Sequence, residues 1–219
     1  MDTIMIWQIM AALGWLAMIG ALYWGWRLLQ AKRRCVTENE ELRDKLQKIR
    51  MVDETTGVLN YQAFVRSVHI QLRLAHRHKW PVSLLLIDII DLERINFKRG
   101  FKVGNTILKA AADAIHHGVR ASDVVGRFEG SRFYVMLQEC GEEYVPTVVG
   151  RILAALEASP PIWNDEPVPF DLRVVAISSV GEEAYLAEMI KELEKGLEQA
   201  KERGEKFVRV KRIRKKERM

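Results

Sequence analysis

The residue types that could do chemistry are densest between positions 120 and 133, Arg-Ala-Ser-Asp-Val-Val-Gly-Arg-Phe-Glu-Gly-Ser-Arg-Phe. Arg120 carries a planar fork of donors that matches paired acceptors and stacks on rings. Asp123 supplies an acceptor pair three residues later. By residue type alone the two read as an exposed ion pair at a helix end, worth ~0–1 kcal/mol. Beyond them the pattern is that of a β-hairpin. Val124-Val125 runs up, Glu129-Gly130 turns, and Phe133-Tyr-Val-Met-Leu137 returns, with apolar residues flanking a glycine turn. Ser131 and Arg132 stand on that turn. Other candidates read more blandly. His76 and His78, and the adjacent His116-His117, lack the i,i+4 spacing of helical metal ligands and read as solvated. Cys35 and Cys140 give neither a disulfide framework nor metal-ligand spacing.

The surrounding elements must position these groups. Tyr61 to Arg77 reads as a helix with Phe64, Val68, Leu72 and Ala75 on one face. Val82-Ser-Leu-Leu-Leu-Ile-Asp88 is a nearly continuous apolar run ending in an acid, the pattern of a central strand buried on both faces. Asn105 is expected to cap a helix lined by Leu108, Ala111, Ala112, Ile115 and Val119. After the hairpin come a helix over 143–156, a proline loop around Pro160-Pro161, Pro167 and Pro169, a strand over 172–180, a helix over 182–203 and a last strand, Phe207 to Val210. This order predicts an α+β fold, one sheet with helices packed on it.

The termini differ in kind from this middle. The chain has 219 residues and a net charge of +5. The segment from Lys206 to Arg218 holds eight Lys/Arg against one Glu, so the basic balance belongs to the end and not to the domain. Ile4 to Trp26 is apolar but for Gln8. At ~1.5 Å per residue it reaches roughly 34 Å, enough to span a bilayer core. Trp7 lies near one end of the run and Tyr23, Trp24 and Trp26 near the other, with Arg27, Lys32, Arg33 and Arg34 following. That pattern predicts a single transmembrane helix within residues 1–30, N-terminus outside and the rest cytoplasmic. Ala17, Ala21 and Gly25 recur every fourth position, a small-residue face that allows a homodimer. Residues 31–52 then form a juxtamembrane basic cluster and a stalk, with Thr37 and Glu40 as a capping box. The tail over 211–219 is either solvated or in contact with anionic lipid. It lacks the stacking aromatics of a nucleic-acid site.

Residues 53–210 resemble the GGDEF family, the diguanylate cyclases. Asp53-Glu-Thr-Thr-Gly-Val-Leu-Asn60 is similar to the family's Asp-x-Leu-Thr-Gly-Leu-x-Asn opening. Asp88-Ile-Ile-Asp-Leu-Glu-Arg-Ile-Asn96 is similar to its Asp-Ile-Asp-x-Phe-Lys-x-Ile-Asn. Gly100-Phe-Lys-Val-Gly-Asn105 stands where Gly-His-x-x-Gly-Asp would be, and Ala200-Lys-Glu-Arg-Gly204 matches Ala-Lys-x-x-Gly. Glu129-Gly-Ser-Arg-Phe133 takes the place of Gly-Gly-Asp/Glu-Glu-Phe. The resemblance implies the nucleotidyl-cyclase palm-like sheet, preceded here by one transmembrane helix.

It also implies what has been lost. In the family two facing domains join two GTP molecules into cyclic di-GMP, with divalent metal neutralising the phosphates. The metal ligands would map to Asp88, the Ile89 carbonyl and Ser131, and a neutral hydroxyl is a poor replacement for a carboxylate on a hard cation. Arg132 replaces a second acid. Glu129 replaces a glycine and repels phosphate. Ile90 and Phe97 each replace an Asp, and Glu205 replaces an arginine that meets the terminal phosphates. Asn96, Asn105 and Lys201 remain from the substrate cleft, which with Asp88 and Ser131 is expected to be vestigial. Neither a catalytic residue, a metal nor a cofactor is assigned. The Arg-x-x-Asp form of the family's inhibitory site is intact at Arg120 and Asp123, and Arg151 falls where a second arginine completes it.

Two functions follow as expectations. The first is a bacterial inner-membrane, non-catalytic receptor that binds cyclic di-GMP at Arg120, Asp123 and Arg151 and signals to a protein partner. The second is a ligand-free scaffold in a membrane assembly, such as a secretion or polysaccharide system. A third, an active cyclase, requires all the departures to be tolerated together.

Overall fold

The computed structural model describes residues 51–180 and 185–210, together with residues 15, 18, 23–27, 30, 32 and 33. The chain divides into two units, Met1–Arg50 and Met51–Met219. In the first, the described residues are helical, and Trp15, Tyr23, Trp24 and Trp26 are exposed. Most of the apolar run over 4–26 lies outside the described residues, as do the stalk capping box and the basic tail. Among the described residues no helix is long and apolar enough to cross a membrane.

The second unit is a six-stranded mixed sheet covered by helices on both faces. Its strands are β1 (Leu59–Asn60), β2 (Pro81–Ile89), β3 (Val124–Arg127), β4 (Arg132–Leu137), β7 (Leu172–Val180) and β8 (Phe207–Val210), in the order β1-β3-β4-β2-β7-β8. A separate two-stranded ribbon pairs β5 (Ile162–Trp163) with β6 (Glu166–Pro167). The helices are α1 (Tyr61–His78), α2 (Leu92–Arg99), α3 (Phe101–Gly118), α4 (Val145–Ala158) and α5 (Leu186–Arg203).

Central β2 shows why its sequence is apolar almost throughout. Side chains alternate between faces along a strand. Leu85, Ile87 and Ile89 enter one core with Ile107, Leu108 and Ile115 of α3 and Val148 and Ile152 of α4. Leu84 and Leu86 enter the other with Phe64 and Val68 of α1 and Leu193 and Leu197 of α5. Each face thus closes a core of its own within residues 51–210. The antiparallel neighbours β4 and β7 flank β2 on both sides.

The expected hairpin, the strands over 172–180 and 207–210, and the helix starting at Tyr61 all form. Asn60 caps that helix, its side chain accepting the Ala63 N–H at 2.9 Å. Three features differ from the sequence reading. Asn105 does not cap a helix. Gly100, at φ +88°, begins α3, and Asn105 lies one turn inside it. A φ of that sign is open to glycine at no steric cost, so the chain can leave α2 and enter α3 with one residue between. Helix α2 was not anticipated, because its eight residues bury fully only Leu92 and so carry almost no periodic signal. Helix α4 starts at Val145, after a single 3-10 turn over Glu142–Tyr144.

Candidate functional site

The C-terminal end of β2 opens into a cleft of about 940 Å³. Asp88, Asn96, Asn105, Ser131 and Lys201, scattered over more than a hundred residues, all line it. The tip of the hairpin supplies one wall. The Phe128 N–H donates to the Arg132 carbonyl at 2.9 Å, closing a three-residue loop around Gly130 at φ +70°. The Ile89 N–H donates to the Ser131 carbonyl at 3.2 Å, which locks the loop against the end of β2.

This lock sets the chemistry at Asp88. Its buried carboxylate accepts a hydrogen bond from the Ser131 hydroxyl at 2.5 Å. In the sheet register Asp88 lies opposite Arg132 on β4 and opposite Arg173 on β7. Directly opposed residues project to the same face, and both arginines line the cleft. A divalent cation prefers several anionic oxygens. Here the Asp88 carboxylate already accepts a hydrogen bond from its neighbour, Arg132 and Arg173 stand at the flanking register positions, and Asp91, Glu93 and Glu129 line the same cleft. Among the described residues no group of three or more His, Cys, Asp or Glu side chains is placed to hold a metal ion. Arg173 escaped the sequence reading because only the register brings it beside Asp88.

A second clamp was also missed. Arg127 donates through Nη1 to Asp53 Oδ1 and through Nη2 to the Gly130 carbonyl, both at 2.9 Å. Asp53 also accepts from the Thr56 backbone N–H at 2.9 Å and the Thr56 hydroxyl at 2.7 Å. The opening motif is therefore the anchor of the hairpin tip. Burial alone pushes the Asp53 carboxyl up, but hydrogen bonds from Thr56 and Arg127, with the charge of Arg127, outweigh it and hold the group below the usual carboxylate range. The signal was an Asp-x-x-Thr-Gly turn, legible as a turn but silent about its distant partner.

The Arg120–Asp123 pair is built differently from an exposed ion pair. Asp123 Oδ2 accepts the backbone N–H of Arg120 at 2.8 Å, and Oδ1 accepts the N–H of Gln138 at 3.0 Å. The Asp123 N–H donates back to the Arg120 carbonyl at 3.0 Å. Asp123 thus pins a turn to the end of β4. The exposed guanidinium of Arg120 makes no hydrogen bond or ion pair among the described residues. Burial first, then the Asp123 charge, pushes the nearby Cys140 thiol up. Arg151 is exposed on α4. At Gly118 an added Cβ would stand 2.8 Å from the Ile152 backbone nitrogen. Helix α3 ends at this close approach, Arg120 follows two residues after Gly118, and Arg151 precedes Ile152 on α4.

A cleft at the end of β2, a three-residue hairpin tip beside it, and an Arg-x-x-Asp turn at the base of that hairpin agree with a family comparison. The model for "Diguanylate cyclase, GGDEF domain" matches residues 50–206.

The chain belongs to the GGDEF family.

Among relatives of this GGDEF protein, diguanylate cyclase DgcP of Pseudomonas aeruginosa is 28% identical over 146 residues, 67% of this chain but only 22% of the relative. The chain therefore spans well under half of that protein. Solved structures share the fold. The GGDEF domain of YfiN from Pseudomonas aeruginosa superposes with a TM-score of 0.66 at 23% identity, covering 73% of this chain and 93% of that one. The coiled coil and GGDEF domain of DgcB from Caulobacter crescentus, solved in complex with c-di-GMP, gives 0.67 at 17% identity, covering 83% and 99%.

Proposed function

We propose that this chain is a membrane-anchored GGDEF protein that has lost cyclase activity and serves as a cyclic di-GMP receptor, binding through Arg120 and Asp123 with Arg151 assisting. The observation that carries the reading is the contrast between two sites. At the cleft, a serine hydroxyl donates to the strand-end acid, and arginines occupy the register positions opposite it on both neighbouring strands. At the hairpin base, Asp123 holds a rigid turn whose arginine fork is exposed and uncommitted. A carboxylate has about four lone-pair sites, so Asp123 keeps capacity for a guanine edge after accepting two N–H groups. Arg offers charge-assisted, forked contact to phosphate. The site requires no metal, so the changes in the cleft leave it intact. The apolar run over 4–26, with basic residues following, supports an inner-membrane anchor with the domain in the cytoplasm.

Calorimetric titration of residues 51–219 with cyclic di-GMP and with GTP tests this reading. Metal-independent binding of cyclic di-GMP, with no turnover of GTP, is expected. One observation favours the alternative of a ligand-free scaffold in a secretion or polysaccharide assembly. Both Asp123 oxygens are already bonded within the chain, as a purely structural turn requires. Absence of binding at high micromolar cyclic di-GMP selects that scaffold.

A further inference from the structure

The most exposed large apolar side chains of the described domain are a pair. Phe97, in the last turn of α2, is 92% exposed, and Phe101, the first residue of α3, is 76% exposed. They flank Gly100 at the corner between the two helices. Lys98, Arg99 and Lys102 are exposed beside them, and none of the three is in an ion pair among the described residues. No Asp or Glu occurs between Arg94 and Ala112. Two unpacked aromatics beside three cations that make no ion pair among the described residues contribute nothing to the core, and adjoining exposed apolar groups of this size point to an interaction surface.

The charge decides the partner. In a two-fold contact with a second copy, Lys98, Arg99 and Lys102 would face their own counterparts, and like charges there oppose association. An anionic lipid surface instead satisfies both halves of the corner. Aromatic rings settle at the headgroup boundary while Lys and Arg meet the phosphates, at ~1 kcal/mol per cation near the surface.

The position of the corner agrees. Phe101 lines the same cleft as Arg127 and Phe128. Arg127 holds Asp53, and the Tyr61 ring lies edge-on to Phe128 with centroids 4.4 Å apart. The corner and the point where the chain enters the domain are therefore at the same end of the sheet. Arg73 and Arg77 lie in the last turns of α1, toward the end of the sheet where β2 begins at Pro81, away from the cleft.

We propose that the corner between α2 and α3 is a lipid-docking site, in which Phe97 and Phe101 enter the interface of an anionic membrane while Lys98, Arg99 and Lys102 engage its phosphates. The inference deepens the membrane part of the proposed function, yet it concerns the folded domain and not the anchor. Its test therefore omits residues 1–50. It also omits the basic tail, which would bind anionic lipid by itself.

Residues 51–210, which close their own cores, are mixed with phosphatidylcholine vesicles with and without phosphatidylglycerol, and the bound fraction is read by sedimentation. Binding is expected only to the anionic vesicles and to weaken with salt. The double variant Phe97→Ser, Phe101→Ser should lower the partition coefficient by about tenfold or more, with an unchanged circular dichroism spectrum because neither ring is packed. Lys98→Glu with Lys102→Glu should lower it similarly. Arg73→Glu with Arg77→Glu on α1 should change it much less. Three results overturn the proposal: no binding to anionic vesicles, binding that survives loss of both rings, or loss only with the α1 pair. If the Phe variant abolishes self-association in analytical ultracentrifugation and leaves vesicle binding untouched, the corner is an interface between copies instead.

Discussion

Ser131 donates its hydroxyl proton to Asp88 across 2.5 Å. That hydrogen bond ties the hairpin tip to the end of the central strand. It also sets a neutral donor, and not a second anion, against the strand-end acid.

Residues 51–219 are expected to make no cyclic di-GMP from GTP with Mg²⁺ or Mn²⁺, measured by chromatography of the nucleotide products. Product above that of the Asp88→Ala, Ser131→Ala double variant would show that the cleft still works. Ser131→Ala alone removes the donor from a buried carboxylate and should cost about 1–3 kcal/mol in urea denaturation.

Arg127→Met should cost about 2 kcal/mol, because it removes the charged one of three donors to the Asp53 carboxylate and the Arg127 bond to the Gly130 carbonyl. The same variant should alter the acid limb of stability. The folded Asp53 carboxyl is held below its ordinary value. Its contribution is therefore fully present above the unfolded pKa of about 4 and is lost as pH falls through the folded value. Urea midpoints between pH 6 and ~3 should fall less steeply in Arg127→Met than in wild type. Parallel curves would mean that the Arg127 contact does not set that pKa.

Gly118→Ala should destabilise the domain by about 1–3 kcal/mol, because its methyl group would stand 2.8 Å from the Ile152 nitrogen, a backbone atom that cannot swing away. The displaced α4 carries Arg151. Binding of cyclic di-GMP should weaken in this variant even where the protein remains folded, a result that calorimetry below its unfolding temperature can read.

A reporter enzyme fused after Met219 should be active only if it functions in the cytoplasm. A periplasm-active fusion would reverse the expected topology and remove the domain from any cytosolic nucleotide.

Much of this architecture was legible in the chain, and for identifiable reasons. Strand β2 reads correctly because both its faces are buried, which leaves a run of apolar letters with nothing polar to blur it. The hairpin reads because Gly130 marks its tip. Helix α1 reads because Phe64, Val68, Leu72 and Ala75 share one buried face. What failed was local and short. Helix α2 commits one buried residue, and Gly100 starts α3 where Asn105 was expected to, since backbone conformation and not side-chain chemistry makes that break. The cleft residues Asp88, Asn96, Asn105, Ser131 and Lys201 were recovered through family resemblance. Arg173 and the Asp53–Arg127 clamp were not, because cross-strand register and contacts 74 residues apart in sequence leave no mark in linear spacing. The Arg120–Asp123 turn was legible as a motif. Its geometry, with Asp123 bonding backbone while the arginine fork stays open, was not.

The central claim rests on Arg120, and one comparison tests it most directly. Residues 51–219 are titrated with cyclic di-GMP in the calorimeter as wild type, Arg120→Ala and Arg132→Ala. Wild type should bind without added metal. Arg120→Ala should weaken binding by roughly one to two orders of magnitude, on the order of 1.5–3 kcal/mol for lost charge-assisted hydrogen bonds. Arg132→Ala, in the cleft, should change it little. The reverse pattern, with Arg120→Ala at wild-type affinity and Arg132→Ala weakened, would contradict the account and place the ligand in the cleft beside Asp88.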